Sequence, residues 1–485
     1  MRKQHENRNL SMVMDFYEMT MANGYFAARD TDTLAVFDVF YRKNPDNAGF
    51  AVFAGLEQII EYINNLHFDE DDIAYLRSQN LFSEEFLEYL RSYRFHGDIY
   101  AMPEGTVIYP NEPLVTVVAP LLDAQLIETA LLLEVNHQSL IATKANRIVR
   151  AAKGRGVSDF GARRAHNVDA AVYGARAAYI GGVTGTATVL AGEMFQIPIS
   201  GTMAHSWVMF CDSEYEAFKK YAETYPDSTV LLVDTYDVLK SGIPNAIRVA
   251  KEVLEPMGKR LRGVRLDSGD LAYLSKEARK MLDEAGLEDC LIVASNGLDE
   301  YTIRSIIHQG AKIDSFGVGE RLITSASNPV FGAVYKMAAV KKDGKMIPKI
   351  KVSETAEKIT NPGLKKIYRV YNEEGKAIAD YLALFDEVID SSKPVRYVDP
   401  QKYWKERSFE NCSFKNLQVK IFEDGKQIYH CPPVEEIRQY LRDQLKNEIW
   451  EEEQRFENPH GHYYDMSPAM YELKMNLLYH LGKTK

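Results

Sequence analysis

Cysteine is scarce in this chain. Four cysteines occur among 485 residues, and none of them forms a CxxC pair. A structural zinc site therefore has no support, and a disulfide framework is not expected. Glycine (30) and proline (18) follow no repeat period, which excludes collagen-like and low-complexity classes. These absences favour an ordinary globular protein of a reducing compartment.

Long apolar runs and an excess of positive charge are also missing. The uncharged stretch at residues 177–192 is too short and too rich in glycine and threonine to span a bilayer. The first twenty residues contain no apolar segment of the secretory type, so we predict no signal peptide and a cytoplasmic location. Lys and Arg number 58 against 69 Asp and Glu, a net charge of −11. We therefore expect neither nucleic acid nor a membrane as a partner.

The middle of the chain alternates short β-branched runs with amphipathic stretches. The predicted strands are 156–160, 197–205, 229–235, 261–269, 290–297 and 312–319. Such βα repetition implies a parallel sheet with helical crossovers. Six units in succession fit an α/β barrel better than an open sheet.

The segments on either side of this predicted barrel, residues 126–330, differ in character. Residues 1–125 mix helix and strand patterns with proline turns, which predicts an α+β sandwich domain. Residues 331–395 return to strand-like sequence, and we expect them to complete that domain. Residues 396–485 are strongly charged and are predicted to form a helical extension.

Polar and glycine residues follow every predicted barrel strand. Barrel enzymes place their chemistry at the C-terminal ends of the strands, so these residues form a candidate site. Turn formation explains the glycines equally well, but it explains His205 and Arg265 badly. An imidazole at position 205 could act as a general base or as a nucleophile that accepts a phosphoryl group.

Other strand ends favour an anionic ligand. Arg265 and Asp267 lie two residues apart, so strand alternation puts both on one face. Arginine suits a carboxylate or a phosphate, although a buried Arg–Asp ion pair explains this segment equally well. The glycine-rich segment 314–329 resembles the phosphate cradle of barrel enzymes. Together these features favour a phosphorylated small molecule.

Several segments, taken together, resemble the nicotinate phosphoribosyltransferase family. In chain order they are DFYEMTMANGYF, SDFGARRAH, SGTMAHSW, LLVDTYDVLKSGIPNAI, GVRLDSGDL, SNGLDE, GVGERLITS and VSETAEKITNPGLKKIYR. The resemblance implies the α/β fold of type II phosphoribosyltransferases: an irregular barrel with an α+β sandwich domain, forming a homodimer with sites at the subunit interface. It also implies an ATP-dependent ligase that joins nicotinate to phosphoribosyl pyrophosphate with Mg²⁺. The product would be nicotinate mononucleotide, for NAD biosynthesis.

The resemblance assigns roles to matching positions. His205 would be the histidine that ATP phosphorylates, with Asp267 as a second catalytic residue. The nicotinate-binding residues would be Tyr17, Phe160, Arg163, Thr202 and Arg265. The phosphoribosyl pyrophosphate-binding residues would be Asp234, Ser268, Gly269, Asn296, Gly297, Gly319, Glu320 and Thr324. No direct metal ligand is assigned, because Mg²⁺ would be held through the pyrophosphate, with Asp234 or Asp267 as candidates for a contribution.

One position departs from the family pattern. Where relatives carry threonine after the second glycine of the phosphate loop, this chain has Glu320. A carboxylate would repel a phosphate, so we expect Glu320 to contribute only its backbone N–H. Thr324 is then the candidate hydroxyl.

Single residues distinguish the proposed activity from alternative functions. Nicotinamide phosphoribosyltransferases are similar but carry an aspartate in a Gly-Thr-Asp segment, where this chain has GTAT at 185–188. Because an aspartate would repel an anionic substrate, its absence favours nicotinate. A quinolinate enzyme would call for more cationic residues, and an aldolase would need a strand-end lysine. A non-catalytic nucleotide-sensing barrel is a further alternative, although such a protein should have lost His205, Arg265 or Asp267 first.

Overall fold

The computed structural model describes residues 8–355, 358–400, 402–404 and 406–483. The chain divides into two compact units, Met1–Leu140 with Val330–Lys485, and Ile141–Pro329. No helix within the described ranges combines the length and apolar character needed to cross a bilayer.

The strands are numbered in chain order. They are β1 (Leu34–Phe40), β2 (Ala51–Val52), β3 (Asp98–Ala101), β4 (Val107–Ile108), β5 (Val115–Pro120), β6 (Gly156–Asp159), β7 (Gly185–Thr186), β8 (Val230–Leu232), β9 (Gly263–Leu266), β10 (Leu291–Ser295), β11 (Ser315–Val318), β12 (Val334–Lys342), β13 (Lys345–Pro348), β14 (Lys365–Tyr371), β15 (Ala377–Leu384), β16 (Val395–Val398), β17 (Glu406–Phe409), β18 (Ser413–Asn416), β19 (Val419–Glu423), β20 (Lys426–Gln427) and β21 (Tyr464–Met466).

The α-helices follow the same convention. They are α1 (Phe16–Ala28), α2 (Leu56–Asn65), α3 (Glu70–Ser78), α4 (Glu84–Arg91), α5 (Leu121–Gln125), α6 (Glu128–Ala151), α7 (Val168–Ile180), α8 (Val189–Phe195), α9 (His205–Phe210), α10 (Glu214–Thr224), α11 (Ile243–Val249), α12 (Leu271–Glu284), α13 (Glu300–His308), α14 (Glu320–Ile323), α15 (Val434–Asp443) and α16 (Pro468–Lys483).

The first unit is built on two large sheets. One has the strand order β13-β12-β1-β5-β3-β19-β20, and the other has the order β17-β16-β21-β15-β14-β18. Strand β1, with the sequence LAVFDVF, is buried on both faces because its side chains are almost all apolar, and it pairs antiparallel with β5 and β12. Helix α2 buries the apolar stripe Leu56, Ile59, Ile60 and Ile63 in the core of this unit.

The last ninety residues correct one prediction. Strands β17 to β21 lie within residues 396–485, and all five belong to the two sheets of the first unit. Among their pairings, β18 pairs with β14, β19 with β3 and β21 with β15. The prediction of a helical extension is therefore wrong for this segment, apart from α15 and α16. These strands are short and carry many exposed polar residues, so their hydrophobic alternation is weak.

The second unit is an incomplete α/β barrel. Its strands follow the order β7-β6-β11-β10-β9-β8, and every pairing is parallel. This is the cyclic order of a barrel, because β6 pairs with both β7 and β11. Beyond β7 a single parallel bridge joins Thr186 to Ile199, and no pairing among the described residues connects Ile199 to β8. The predicted irregular barrel is confirmed.

The prediction of a strand at residues 197–205 is wrong. Only Ile199 makes a β-bridge there, and the second barrel strand is β7, which the sequence did not reveal. Pro198 has no N–H to donate to a strand ladder, which limits pairing in this segment. The other five predicted strands contain β6, β8, β9, β10 and β11.

Candidate active site

A cavity of about 570 Å³ lies at the C-terminal ends of the barrel strands in the second unit. The strand ends that reach it belong to β6, β7, β9, β10 and β11. Its lining residues are Phe160, Ala162, Arg163, Arg164, Ala187, Gly201, Thr202, Met203, Ala204, Arg265, Asp267, Ser295, Asn296, Gly297, Leu298, Gly317, Gly319, Glu320 and Arg321. Four of these side chains are arginines and two are carboxylates, so the cavity is suited to an anion.

Strand β9 presents a cation to the cavity. The Arg265 Nη1 atom donates a hydrogen bond of 2.6 Å to the Thr202 hydroxyl, while its buried Nε has no hydrogen-bond partner. Burial lowers the pKa of Arg265, and Asp267 and Asp234 oppose that shift. A guanidinium nevertheless stays charged near neutral pH. A buried cation with a donor to spare is suited to a carboxylate ligand.

An aromatic ring lies against the end of β11. The Phe160 N–H donates to the Val318 carbonyl at 2.8 Å, which continues the pairing of β6 with β11. A Cβ atom placed on Gly317 would come within 2.3 Å of the Phe160 ring. The ring can occupy this position only because residue 317 has no side chain. Gly317 belongs to the GVG segment that the family resemblance matches to the phosphate loop, but its contact with Phe160 follows only from the packing.

Hydrogen bonds link the two predicted catalytic residues to neighbouring hydroxyls. The Ser295 hydroxyl donates to the Asp267 carboxylate. The other carboxylate oxygen of Asp267 lies 3.9 Å from His205 Nε2, and His205 Nδ1 lies 3.1 Å from the Thr235 hydroxyl. No individual role for Ser295 or Thr235 follows from the sequence. Their position beside Asn296 and Asp234 at polar strand ends was the available signal.

Asp234 follows β8 and keeps one oxygen free. The Ser268 hydroxyl donates to its Oδ2 at 2.6 Å, while its buried Oδ1 has no partner. The turn that carries Ser268 passes through Gly269 at φ +79° and enters α12, whose N-cap is Asp270. An unpartnered carboxylate oxygen is a ligand of the kind that Mg²⁺ prefers.

Two turns at β10 and β11 expose backbone groups to the cavity. Asn296 and Gly297 adopt left-handed φ values of 84° and 62° directly after β10. Gly319 precedes α14, and the exposed Glu320 carboxylate lies 3.7 Å from Arg164 Nε. The Thr324 hydroxyl donates to the Glu320 carbonyl at 2.7 Å within α14 and is not among the lining residues.

The structure brings most of the predicted site together. Nine predicted residues line the cavity: Phe160, Arg163, Thr202, Arg265, Asp267, Asn296, Gly297, Gly319 and Glu320. His205 lies beside the lining residue Asp267, and Asp234 and Ser268 are joined by their own hydrogen bond. Tyr17 belongs to the first unit, at the start of α1, where burial and the nearby Glu128 carboxylate raise the pKa of its hydroxyl. The ligand-binding roles of all these residues stay predictions.

The open barrel, with arginines, carboxylates and glycine turns at its strand ends, has the character of a barrel enzyme that handles phosphorylated ligands. Family profiles match nearly the whole chain. The nicotinate phosphoribosyltransferase N-terminal domain matches residues 12–136, the nicotinate phosphoribosyltransferase family matches residues 156–373, and the C-terminal domain matches residues 364–474. The chain belongs to the nicotinate phosphoribosyltransferase family.

Individual relatives show the same likeness. The chain is 48% identical to nicotinate phosphoribosyltransferase of Bacillus subtilis over 97% of this chain and 96% of that protein. It is 42% identical to a nicotinate phosphoribosyltransferase of Mycobacterium tuberculosis, over 90% of this chain and 87% of the relative. The crystal structure of human nicotinic acid phosphoribosyltransferase matches with a TM-score of 0.85 at 28% identity, covering 96% of this chain and 99% of that one.

Proposed function

We propose that this chain joins nicotinate to 5-phosphoribosyl 1-pyrophosphate, yielding nicotinate mononucleotide and pyrophosphate for NAD biosynthesis. We further propose that the reaction is coupled to ATP hydrolysis, as in a ligase, and that it takes place in the cytoplasm in a homodimer with its sites at the subunit interface. The relatives that carry the name of this activity match over nearly their full length.

The observation that carries the proposal is the environment of Arg265. Its guanidinium donates a hydrogen bond to Thr202 and has an unpartnered Nε, so it can donate a further hydrogen bond to the carboxylate of nicotinate. Ala187 lines the same cavity at the position where nicotinamide enzymes resemble this chain but carry aspartate. A methyl group there neither repels an anionic ring nor accepts a hydrogen bond from an amide. The cavity therefore favours nicotinate over nicotinamide.

Catalysis would rest on positioning and charge. Transfer breaks the bond between ribose C1′ and the pyrophosphate oxygen and forms a bond from C1′ to the pyridine nitrogen. Positive charge develops on the ribose during this exchange, and the Asp267 carboxylate, oriented by Ser295, would stabilise it. Phe160 would hold the pyridine ring in line for attack.

Magnesium fits the donors that the site offers. Asp234 Oδ1 is buried without a partner, and Asp267 adds further carboxylate oxygen. Bound Mg²⁺ would neutralise charge on the departing pyrophosphate.

His205 would couple ATP to this reaction. It begins α9, directly after the cavity-lining segment 201–204. Its ring lies between Thr235 and Asp267. The phosphoryl group would pass from ATP to the imidazole, with ADP as the leaving group, and later to water. No covalent bond to the sugar is required.

The test uses equimolar nicotinate and nicotinamide with phosphoribosyl pyrophosphate, Mg²⁺ and ATP, with products separated by chromatography. We expect nicotinate mononucleotide to dominate and [γ-³²P]ATP to label the protein in an acid-labile form. The variant His205→Asn should lose the label, whereas the exposed control His308→Asn should keep it. Absence of any mononucleotide would overturn the proposed function, and labelling of His205→Asn would overturn the role of that histidine.

A further inference from the structure

Arg321 differs from the other arginines of the cavity because, among the described residues, a carboxylate accepts a hydrogen bond from it. It is the second residue of α14, two positions after Gly319, and it lines the cavity. Its Nη1 donates to Asp299 Oδ2 at 2.5 Å. In the part of the chain that the structure describes, the other guanidinium nitrogens have no hydrogen-bonding partner, and they remain available to a ligand.

Asp299 is itself fixed in place. It is the N-cap of α13, where its Oδ1 accepts the Thr302 N–H at 2.7 Å. One oxygen therefore anchors the helix while the other orients Arg321, and the carboxylate is largely buried. A guanidinium held in this way loses little side-chain freedom when it binds a phosphate.

Arg164 offsets the charge of the carboxylate next to Arg321. The Glu320 carboxylate lies 3.7 Å from Arg164 Nε. Asn296 and Gly297, which have left-handed φ values, and Gly319 line the same cavity. Arg321 thus adds a side-chain cation to the phosphate loop that the family resemblance predicts.

The strand order of the sheet separates Arg321 from Asp234, the residue predicted to contribute to Mg²⁺ and pyrophosphate binding. Arg321 follows β11, whereas the unpartnered oxygen of Asp234 follows β8, and the order is β11-β10-β9-β8. Three strand spacings of about 4.8 Å place the two strand ends about 14 Å apart along the sheet. A single sugar with a phosphate at one end and a pyrophosphate at the other can address both.

From these contacts we propose that Arg321, oriented by Asp299, binds the 5′-phosphate of phosphoribosyl pyrophosphate. The inference rests on the proposed function for the identity of the ligand. Arg321 would act as a binding residue and Asp299 as a positioning residue.

The experiment measures binding of ribose 5-phosphate and, separately, of inorganic pyrophosphate with Mg²⁺ to the full chain by calorimetry. Steady-state KM and kcat are measured alongside. The variants are Arg321→Ala, Arg321→Lys and Asp299→Asn, since asparagine preserves the helix cap. The matched control is Arg260→Ala, which removes an exposed arginine paired with Asp289 outside the cavity.

We expect Arg321→Ala to weaken ribose 5-phosphate binding about tenfold or more. KM for phosphoribosyl pyrophosphate should rise by a similar factor. Pyrophosphate affinity and KM for nicotinate should change less than twofold. Arg321→Lys and Asp299→Asn should give intermediate losses, and Arg260→Ala should give none.

Two results would overturn the inference: ribose 5-phosphate affinity within twofold of the parent in both Arg321 variants, or an equal loss of ribose 5-phosphate and pyrophosphate binding. Unfolding of Arg321→Ala, seen by circular dichroism, leaves Arg321→Lys as the deciding variant. If the parent chain binds ribose 5-phosphate through Arg321 but makes no nicotinate mononucleotide, the proposed function fails while the phosphate site stands.

Discussion

At the scale of single residues, Gly317 sets the position of the Phe160 ring. A Cβ at 317 would lie 2.3 Å from that ring, so Gly317→Ala must displace it. We expect KM for nicotinate to rise up to about tenfold, because a stacked aromatic contact is worth roughly 0.5–1.5 kcal/mol. Gly461→Ala is the matched control, since a Cβ there meets nothing within 4 Å. Unchanged nicotinate KM in Gly317→Ala would show that the ring does not contact the substrate.

Ser295 orients the Asp267 carboxylate, and its removal should affect turnover more than binding. A hydrogen bond to a charged group contributes about 1.5–3 kcal/mol, so Ser295→Ala should lower kcat by about ten- to a hundredfold. KM for either substrate should move less than threefold. Ser295→Thr, which keeps the hydroxyl, should recover part of the loss. A change confined to KM would place Ser295 in substrate binding instead.

These residues mark the limit of what the sequence alone could predict about the site. Arg265 and Asp267 could be placed on one face because strand alternation is local. Ser295 and Gly317 could not be assigned, because their roles depend on which strands become neighbours, with β10 beside β9 and β11 beside β6. Polar strand ends reveal where a site lies, whereas the partner of each side chain follows from the tertiary structure.

At the scale of helices and strands, Glu18 links the start of α1 to the start of α6. Its carboxylate accepts the Asp15 N–H at 3.3 Å and both the N–H and the hydroxyl of Thr129. Burial raises the pKa of Glu18 to about 7, although these hydrogen bonds oppose the shift. A buried group with a raised pKa is protonated in the folded chain at a pH where it is ionised in the unfolded chain.

This linkage predicts a pH effect on stability. The contribution of protonated Glu18 is complete below the ordinary pKa of 4.5 and is lost as the pH rises towards 7. Glu18→Gln stays neutral, so its melting temperature relative to the parent should improve between pH 5 and pH 8. The exposed control Glu374→Gln should track the parent at every pH. If the melting temperatures of Glu18→Gln and the parent differed by the same amount at every pH, the raised pKa of Glu18 would be contradicted.

The predicted strands show which elements hydrophobic patterns can locate. Strands β8 to β11 are apolar runs followed by helices, and the sequence located each of them. Strand β7 has only two residues, Gly185 and Thr186, too few to produce a pattern. Strands β17 to β20 are short and mostly exposed, so charge dominated their composition and suggested helix instead.

At the scale of the first unit, buried charges join the hairpin of β14 and β15 to the final segment of the chain. Arg369 on β14 makes two hydrogen bonds to Asp380 on β15, at 2.9 and 2.8 Å. Asp380 also lies 3.6 Å from His462, whose other ring nitrogen is 3.0 Å from Glu453. Residues of the final segment therefore belong to the core of this unit.

The network sets an arginine and a histidine against carboxyl groups. Burial lowers the pKa of His462, but Asp380 and Glu453 outweigh that effect and raise this pKa above its usual value. Burial raises the pKa of Glu112 well above its usual range. Arg369 and His462 lie against the carboxyl groups of Asp380 and Glu453. Because a buried charge without its partner is costly, each member depends on the others.

Removal of one cation should therefore destabilise the whole unit. Arg369→Met leaves Asp380 buried without its main partner and should lower the free energy of unfolding by about 3–5 kcal/mol, measured by urea denaturation. Arg77→Met removes an arginine from an exposed pair with Glu84 and should cost less than about 1 kcal/mol. Replacing both partners, in Arg369→Met with Asp380→Leu, should recover much of the loss because no unpaired charge from that pair remains. If Arg369→Met cost no more than Arg77→Met, the network would contribute little to stability, and the final ninety residues would be held to the unit by apolar packing and strand pairing alone.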